Sequence, residues 1–157
     1  MPKIDCETLE MVKGRYLSSL AAYTKGITDN YVKGAVGDKA GLTQFGVNRA
    51  VLEPGAGTSM RHWHVNQDEF VIVVEGTVTL IDDDGEHQLH AGDCAGFKAG
   101  DANGHHIINK SDKVATLFEI GTRTETETTY YADHDLMVTK RDGDYHFTRK
   151  NGESLPD

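Results

Sequence analysis

Between Thr43 and Thr122 the chain runs through short β-forming segments, and each meets a turn signal before a helical period can establish itself. Thr43 to Leu52 stops at Pro54-Gly55, and Met60 to Val65 is shorter still. Glu69 to Val74 carries the β-branched run Val71-Ile72-Val73-Val74 and ends before Gly76. Thr77 to Ile81 turns through Asp82-Asp83-Asp84-Gly85, a hairpin signal, into His87 to His90. Ala91-Gly92-Asp93 then introduces Cys94 to Phe97, and a loop from Gly100 to Gly104 introduces His105 to Ile108. Asn109-Lys110-Ser111-Asp112 precedes Val114 to Ile120. About eight strands at such close spacing predict an antiparallel sandwich or barrel, because βαβ units need a helical stretch between consecutive strands. Seventeen glycines against three prolines fit a chain that reverses often.

The flanks are plainer. Residues 1–42 are expected to form an N-terminal arm laid over the domain, with a helical stretch from Glu7 to Tyr23 and Gly-rich connections at Gly26, Gly34, Gly37 and Gly41. Residues 43–122 form the expected core barrel. Residues 123–157 open with a polar Thr- and Glu-rich run and then offer strands at Asp135 to Thr139 and Tyr145 to Arg149, belonging to the same domain. A length of 157 residues suits one hydrophobic core.

A formal net charge of −9, with no basic run longer than a pair, argues against a surface built for nucleic acid. Cys6 and Cys94 are two isolated thiols, which make no disulfide framework and fit a reducing compartment. The start Met1-Pro2-Lys3-Ile4-Asp5-Cys6-Glu7 places acids where a signal peptide needs positive charge, and Leu17 to Tyr23 is too short and polar to span a membrane. A cytoplasmic protein without membrane contacts is expected.

The chemistry concentrates in His62, His64, Glu69 and His105. The first two stand two apart on a strand, so their side chains share a face roughly 6.5–7 Å apart at the backbone. Asn66-Gln67-Asp68 forms a turn, from which Glu69 starts the next strand facing the same point. His105 arrives from a later strand as a fourth candidate. Three neutral imidazoles and one carboxylate suit one divalent transition metal (Fe, Mn, Ni, Zn, Co or Cu), whereas Mg and Ca prefer more oxygen. The His-x-His pair alone is a weak signal; its setting between Pro54-Gly55, Glu69, Gly76, Gly92-Asp93 and Asn109 strengthens it.

In that setting the sequence resembles the cupin superfamily. Its first motif of Gly, His-x-His, Glu and Gly reads here as Gly57, His62-Trp63-His64, Glu69 and Gly76. Its second, of Gly, Pro-x-Gly, His and Asn, reads as Gly92, Lys98-Ala99-Gly100, His105 and Asn109. Gly57 lies one residue nearer His62 than usual, Lys98 replaces proline, and two additional residues separate Gly100 from the histidine. His105 and His106 therefore compete for the third histidine position. His105 keeps the spacing to Asn109, and strand alternation then turns His106 toward solvent or an interface. The resemblance implies a double-stranded β-helix, or jelly roll, of RmlC-like type, with an N-terminal arm and a short C-terminal β extension. It also implies a 3-His-1-Glu metal site at His62, His64, Glu69 and His105, leaving coordination positions open to water, dioxygen or a chelating substrate.

Other residues carry weaker expectations. Gln44 and Asn48 could present amides to a ligand, and Glu119 and Arg61 flank the expected pocket, with Arg61 pointing away. Trp63 faces opposite to the two histidines and is expected in packing, and Cys94 as a small buried residue. His87 and His90 are expected in solvent, while Tyr130 and Tyr131 pack a terminal strand. No individual catalytic residue is singled out. The expected function is a metal-dependent enzyme acting on a small polar or carboxylate metabolite, of dioxygenase, lyase, decarboxylase or isomerase type. The alternative is a non-catalytic cupin that binds or senses a small ligand; a storage role suits the short chain less. A homodimer is expected, paired through edge strands with the arm reaching to the neighbour.

Overall fold

A computed structural model describes residues 3–14 and 20–155. The strands in chain order are β1 (Val12–Lys13), β2 (Tyr31–Ala35), β3 (Phe45–Leu52), β4 (His62–His64), β5 (Glu69–Glu75), β6 (Thr77–Asp82) and β7 (Gly85–His90). They continue as β8 (Cys94–Phe97), β9 (His106–Ile108), β10 (Ala115–Thr122), β11 (Glu127–Tyr131), β12 (Leu136–Arg141) and β13 (Asp144–Thr148). Two short helices, α1 (Ala21–Thr24) and α2 (Val36–Lys39), occupy the N-terminal region.

Every strand pairing is antiparallel. The main sheet runs β1-β2-β3-β10-β5-β8; the others are β13-β12-β11-β4 and β7-β6-β9. The ladders do not close into one continuous ring. Instead an isolated bridge between His62 and His105 ties the second sheet to the segment entering β9, with Nα–H···O distances of 3.0 and 2.8 Å. This cross-link brings two candidate ligands together through their own backbone.

Register decides which side chains meet inside. Across the main sheet Asn48, Glu119, Val71 and Ala95 lie in one row, and Gly121, Glu69 and Phe97 in another. Because side chains alternate along a strand, Val71, Val73, Ala50, Leu52 and Leu117 share that inner face and form the main core with Val78, Leu80 and Ile107. A second cluster of Leu20, Met60, Tyr131, Leu136 and Val138 fills the space beneath the C-terminal sheet.

The strands expected between Thr43 and Thr122 are present, with ends shifted by a few residues. The stretch Glu7 to Tyr23 does not form one helix. Cys6–Thr8 is a single 3₁₀ turn, Val12 and Lys13 pair with Lys33 and Val32, and only Ala21–Thr24 is α-helical; residues 15–19 lie outside the described residues. Sheet pairing overrides a weak helical period there, helped by Gly14, where a Cβ would lie 1.9 Å from the Tyr31 ring. Within residues 1–42, β2 also hydrogen-bonds along β3 from Tyr31↔Leu52 to Ala35↔Asn48, and so becomes part of the cavity wall. Glu127–Tyr131, in the polar run after Thr122, is a strand bonded on both sides. No helix among the described residues is long and apolar enough to cross a membrane.

Candidate metal centre

β4 is short, and its alternation turns His62 and His64 to one face while Trp63 turns to the other and stacks on Tyr130, ring centroids 4.8 Å apart. Glu69 opens β5 opposite them. Its Oε2 lies 3.0 Å from His105 Nε2 and 3.6 Å from His62 Nε2, and its Oε1 lies 3.5 Å from His64 Nε2. His62, Glu69 and His105 each offer one ligand atom within 4.8 Å of the others. His64 stands outside this tight group, on the other carboxylate oxygen.

The second ring nitrogens show which lone pairs remain for an ion. His62 Nδ1 lies 2.9 Å from the Met60 carbonyl, which can only accept, so Nδ1 carries the proton and Nε2 is left as an acceptor. His64 Nδ1 is 3.0 Å from Thr129 Oγ1 and 3.7 Å from Glu127 Oε1, again leaving Nε2 toward Glu69. Glu127 is itself buried and accepts from the backbone N–H groups of Val65 and Asn66 at 2.8 and 3.0 Å. Such outer partners fix ring orientation and tautomer in metal sites. His105 is held differently: its ring stacks flat on Phe97 with centroids 3.5 Å apart, and its buried Nδ1 has no hydrogen-bond partner among the described residues. The donor set therefore fits a divalent transition metal.

Electrostatics agree with one compact charged cluster. Burial acts to raise Glu69, but the imidazoles of His105, His62 and His64 around it outweigh burial and hold the carboxyl well below the usual carboxylate range. Burial pulls His64 down, yet Glu69 and Glu127 together leave it above the ordinary histidine value. Burial prevails at His105 and lowers it.

His62, Glu69 and His105 border a cavity of about 610 Å³ that also takes in Asn48 and Glu119. Glu119 Oε2 accepts from the Tyr31 hydroxyl at 2.8 Å, and burial raises its pKa against the opposing effect of that bond. A smaller cavity of about 270 Å³ adjoins; Glu69 and His105 border both, and His64 borders the smaller.

Several single-residue expectations change. Cys94 is exposed, not buried, because Ala95 and Phe97 take the inward positions of β8 opposite Val71 and Glu69. His106 is half-buried, its Nδ1 3.2 Å from the Ser59 carbonyl, and so does not stand free in solvent. Gln44 precedes β3 and is exposed, so of the two amides only Asn48 borders the larger cavity. Arg61 points away as expected, pairing with Asp83 and Asp133 at 2.7 and 2.9 Å. His87 and His90 are exposed. Glu127, Thr129, Tyr31 and Lys33 were not signalled by any motif; the alternation of buried Glu127, Thr129 and Tyr131 with half-buried Thr128 and Tyr130 is the pattern that marks that strand.

Residues 48–121 match the model of the cupin domain family. A solved structure of a sugar phosphate isomerase from a cupin superfamily, from Silicibacter pomeroyi, is 47% identical, with 99% of this chain and 97% of that one covered and a TM-score of 0.92. The chain is a cupin. A provisionally assigned sugar phosphate isomerase from Acidithiobacillus ferrooxidans is 24% identical over 81% of each chain, TM-score 0.74, and shows this cupin's fold alone. So does the polyketide cyclase of Streptomyces resistomycificus, 12% identical over 78% of this chain and 79% of its own, TM-score 0.63. Curated proteins yielded no match to this cupin.

Proposed function

We propose that this cupin is a metal-dependent isomerase acting on a sugar phosphate. One observation carries the reading: a single cavity holds the imidazole–carboxylate cluster and, apart from it, a second carboxyl of opposite character, Glu119. The 47%-identical Silicibacter protein, a sugar phosphate isomerase, supports the substrate class. We propose His62, His64, Glu69 and His105 as the residues that hold one divalent transition metal. When bound, such an ion acts as a Lewis acid on a carbonyl or hydroxyl oxygen.

Isomerising an aldose and a ketose moves a proton between neighbouring carbons while carbonyl and hydroxyl exchange places. Glu119 has the properties such a proton carrier needs. Burial raises its pKa toward the working pH, so that the carboxylate can take a proton and the acid can return it. The Tyr31 hydroxyl donates to Oε2 and holds the carboxyl in one orientation. Asn48, its cross-strand neighbour, faces the same cavity and can donate an amide hydrogen to a sugar hydroxyl. A homodimer in the cytoplasm belongs to the same proposal.

The test is an NMR screen of aldose and ketose phosphates in D₂O with metal-reconstituted protein. Solvent deuterium should enter the carbon next to the carbonyl as substrate and product interconvert. Glu119→Gln should abolish both while metal content is unchanged. No turnover across the panel, or full activity in Glu119→Gln, refutes the reading.

A further inference from the structure

Four cationic side chains border the larger cavity: Lys13, Lys33, Arg123 and Lys140. Two are already engaged. Arg123 is ion-paired with Asp38 and donates to the Leu42 carbonyl, and Lys140 Nζ donates to the Thr124 carbonyl at 2.9 Å. Lys13 is exposed on the edge strand β1. Lys33 differs from all three. It is half-buried in β2, two residues from Tyr31 and on the same inward face, and has no ion pair among the described residues. Its charge acts on Glu119 from a distance, without an ion pair between the two, and the hydrogen bond to Glu119 comes from the Tyr31 hydroxyl.

Position gives this lysine its meaning. β2 lies three ladder steps from β5 in the order β2-β3-β10-β5, which is about 14 Å on a flattened sheet at ~4.8 Å per step. The register adds an offset along the strands, since Lys33 lies in the row of Ala50, Leu117 and Val73, and Val73 is four residues, about 13 Å, from Glu69 on β5. The inward reach of the lysine and glutamate side chains shortens the gap that an extended phosphorylated sugar must bridge. Glu119, on β10, stands between them. The acidic side chains that border the cavity are Glu69, within the His–Glu cluster, and Glu119. A half-buried cation on this wall with no ion pair among the described residues is available to partner a bound anion.

We propose that Lys33 is the anchor for the substrate's phosphate group, holding it at the end of the cavity opposite the His–Glu cluster with the reacting carbons beside Glu119. This rests on the sugar phosphate reading and adds its direction of binding. A phosphate monoester carries roughly −1.5 to −2 charges near pH 7, and lysine serves as a point-charge partner for it. Binding energy gained at this remote end would orient the sugar for the proton transfer.

The experiment compares wild type, Lys33→Met and Lys33→Arg, each checked for a native circular dichroism spectrum. Inorganic phosphate is titrated calorimetrically into the purified proteins, with His62→Ala as a control altered at the other end. Lys33→Met should weaken phosphate binding at least about tenfold, while Lys33→Arg keeps the charge and most of the affinity. His62→Ala should retain it. With any sugar phosphate that is turned over, Lys33→Met should lose kcat/KM, but not with the corresponding unphosphorylated sugar. Unchanged phosphate affinity in a folded Lys33→Met protein, or no phosphate binding by wild type, overturns the anchor. Lys33-dependent phosphate binding with no turnover of any sugar phosphate would support the anchor and refute the isomerase.

Discussion

Asn109 ends the second cupin motif, and the structure gives it a purely architectural task whose removal can be costed. Its side chain is fully buried and makes four hydrogen bonds. Nδ2 donates to the carbonyls of Leu52 and Lys113 at 2.9 and 2.7 Å, and Oδ1 accepts from Ser111 N and Oγ at 3.0 and 2.7 Å. It thereby clamps the end of β3 to the turn that leads into β10. Asn109→Ala removes all four, at a net ~1 kcal/mol each. Water can replace the bonds to Ser111, which is partly exposed, but not the one to Leu52, whose residue is 0% exposed; leaving that carbonyl unpartnered adds about 1–3 kcal/mol. The expected loss is about 3–5 kcal/mol, a large part of the ~5–15 kcal/mol that holds a domain together. For a chain of this size that lowers Tm by roughly 6–20 °C. Urea titration of metal-free protein measures it, with unchanged m showing that two-state behaviour survives. Asn109→Asp should be at least as damaging, since it aims carboxylate oxygen at two carbonyls. A loss below about 1 kcal/mol for Asn109→Ala would refute the clamp.

Three further predictions use other parts of the molecule. In metal-free protein, Glu119→Gln should be more stable than wild type near neutral pH, with the advantage vanishing in acid. Burial raises the folded-state pKa of Glu119, so its contribution is most favourable below the unfolded value and is lost as pH rises through the folded one; a pH-independent difference in urea midpoint contradicts this. His62→Ala should weaken metal binding by more than the ~10–100-fold typical of losing an outer partner, and Glu127→Gln by about that range, read by elemental analysis after dialysis against competing chelator. Unchanged metal content in His62→Ala refutes the site. Finally, Phe45, Phe70 and Val74 are 39%, 41% and 48% exposed on the outer face of the main sheet; a homodimer that buries this face should sediment as a dimer that Phe70→Glu dissociates, and a wild-type monomer at micromolar concentration refutes it.

The strands from Phe45 to Thr122 are legible in the sequence because each is bounded by turn chemistry that acts locally: Pro54-Gly55, Gly76, Asp84-Gly85 and Gly92-Asp93. At Gly76, φ is +80°, a local backbone conformation that favours glycine. His62, His64 and Glu69 are likewise readable, since parity on two adjoining strands sets their faces. Other features depend on distant partners. Val12 and Lys13 are extended because β2 pairs with them, and Glu127 is buried because Val65 and Asn66 present two amide hydrogens to it. Cys94 is misread for the same kind of reason: its exposure follows from the register of β8 on β5, which local sequence does not encode.

Glu69 and Glu119 show how a single sheet can prepare two carboxyls for different work. They occupy neighbouring inward rows on adjacent strands, Glu69 opposite Gly121 and Glu119 opposite Val71, so their backbone environments are nearly equivalent. Burial pushes both toward the neutral form. What separates them is the company each keeps. Glu69 faces three imidazoles, which together reverse the effect of burial and stabilise the carboxylate. Glu119 accepts from the Tyr31 hydroxyl and feels the charge of Lys33, which offset burial only in part. Two carboxyls driven apart in this way are suited to different roles, the ionised one as a fixed ligand and the other as a carrier of protons. The split originates in which residues alternate inward on β4 and β2, and exchanging those partners should exchange the character of the two acids.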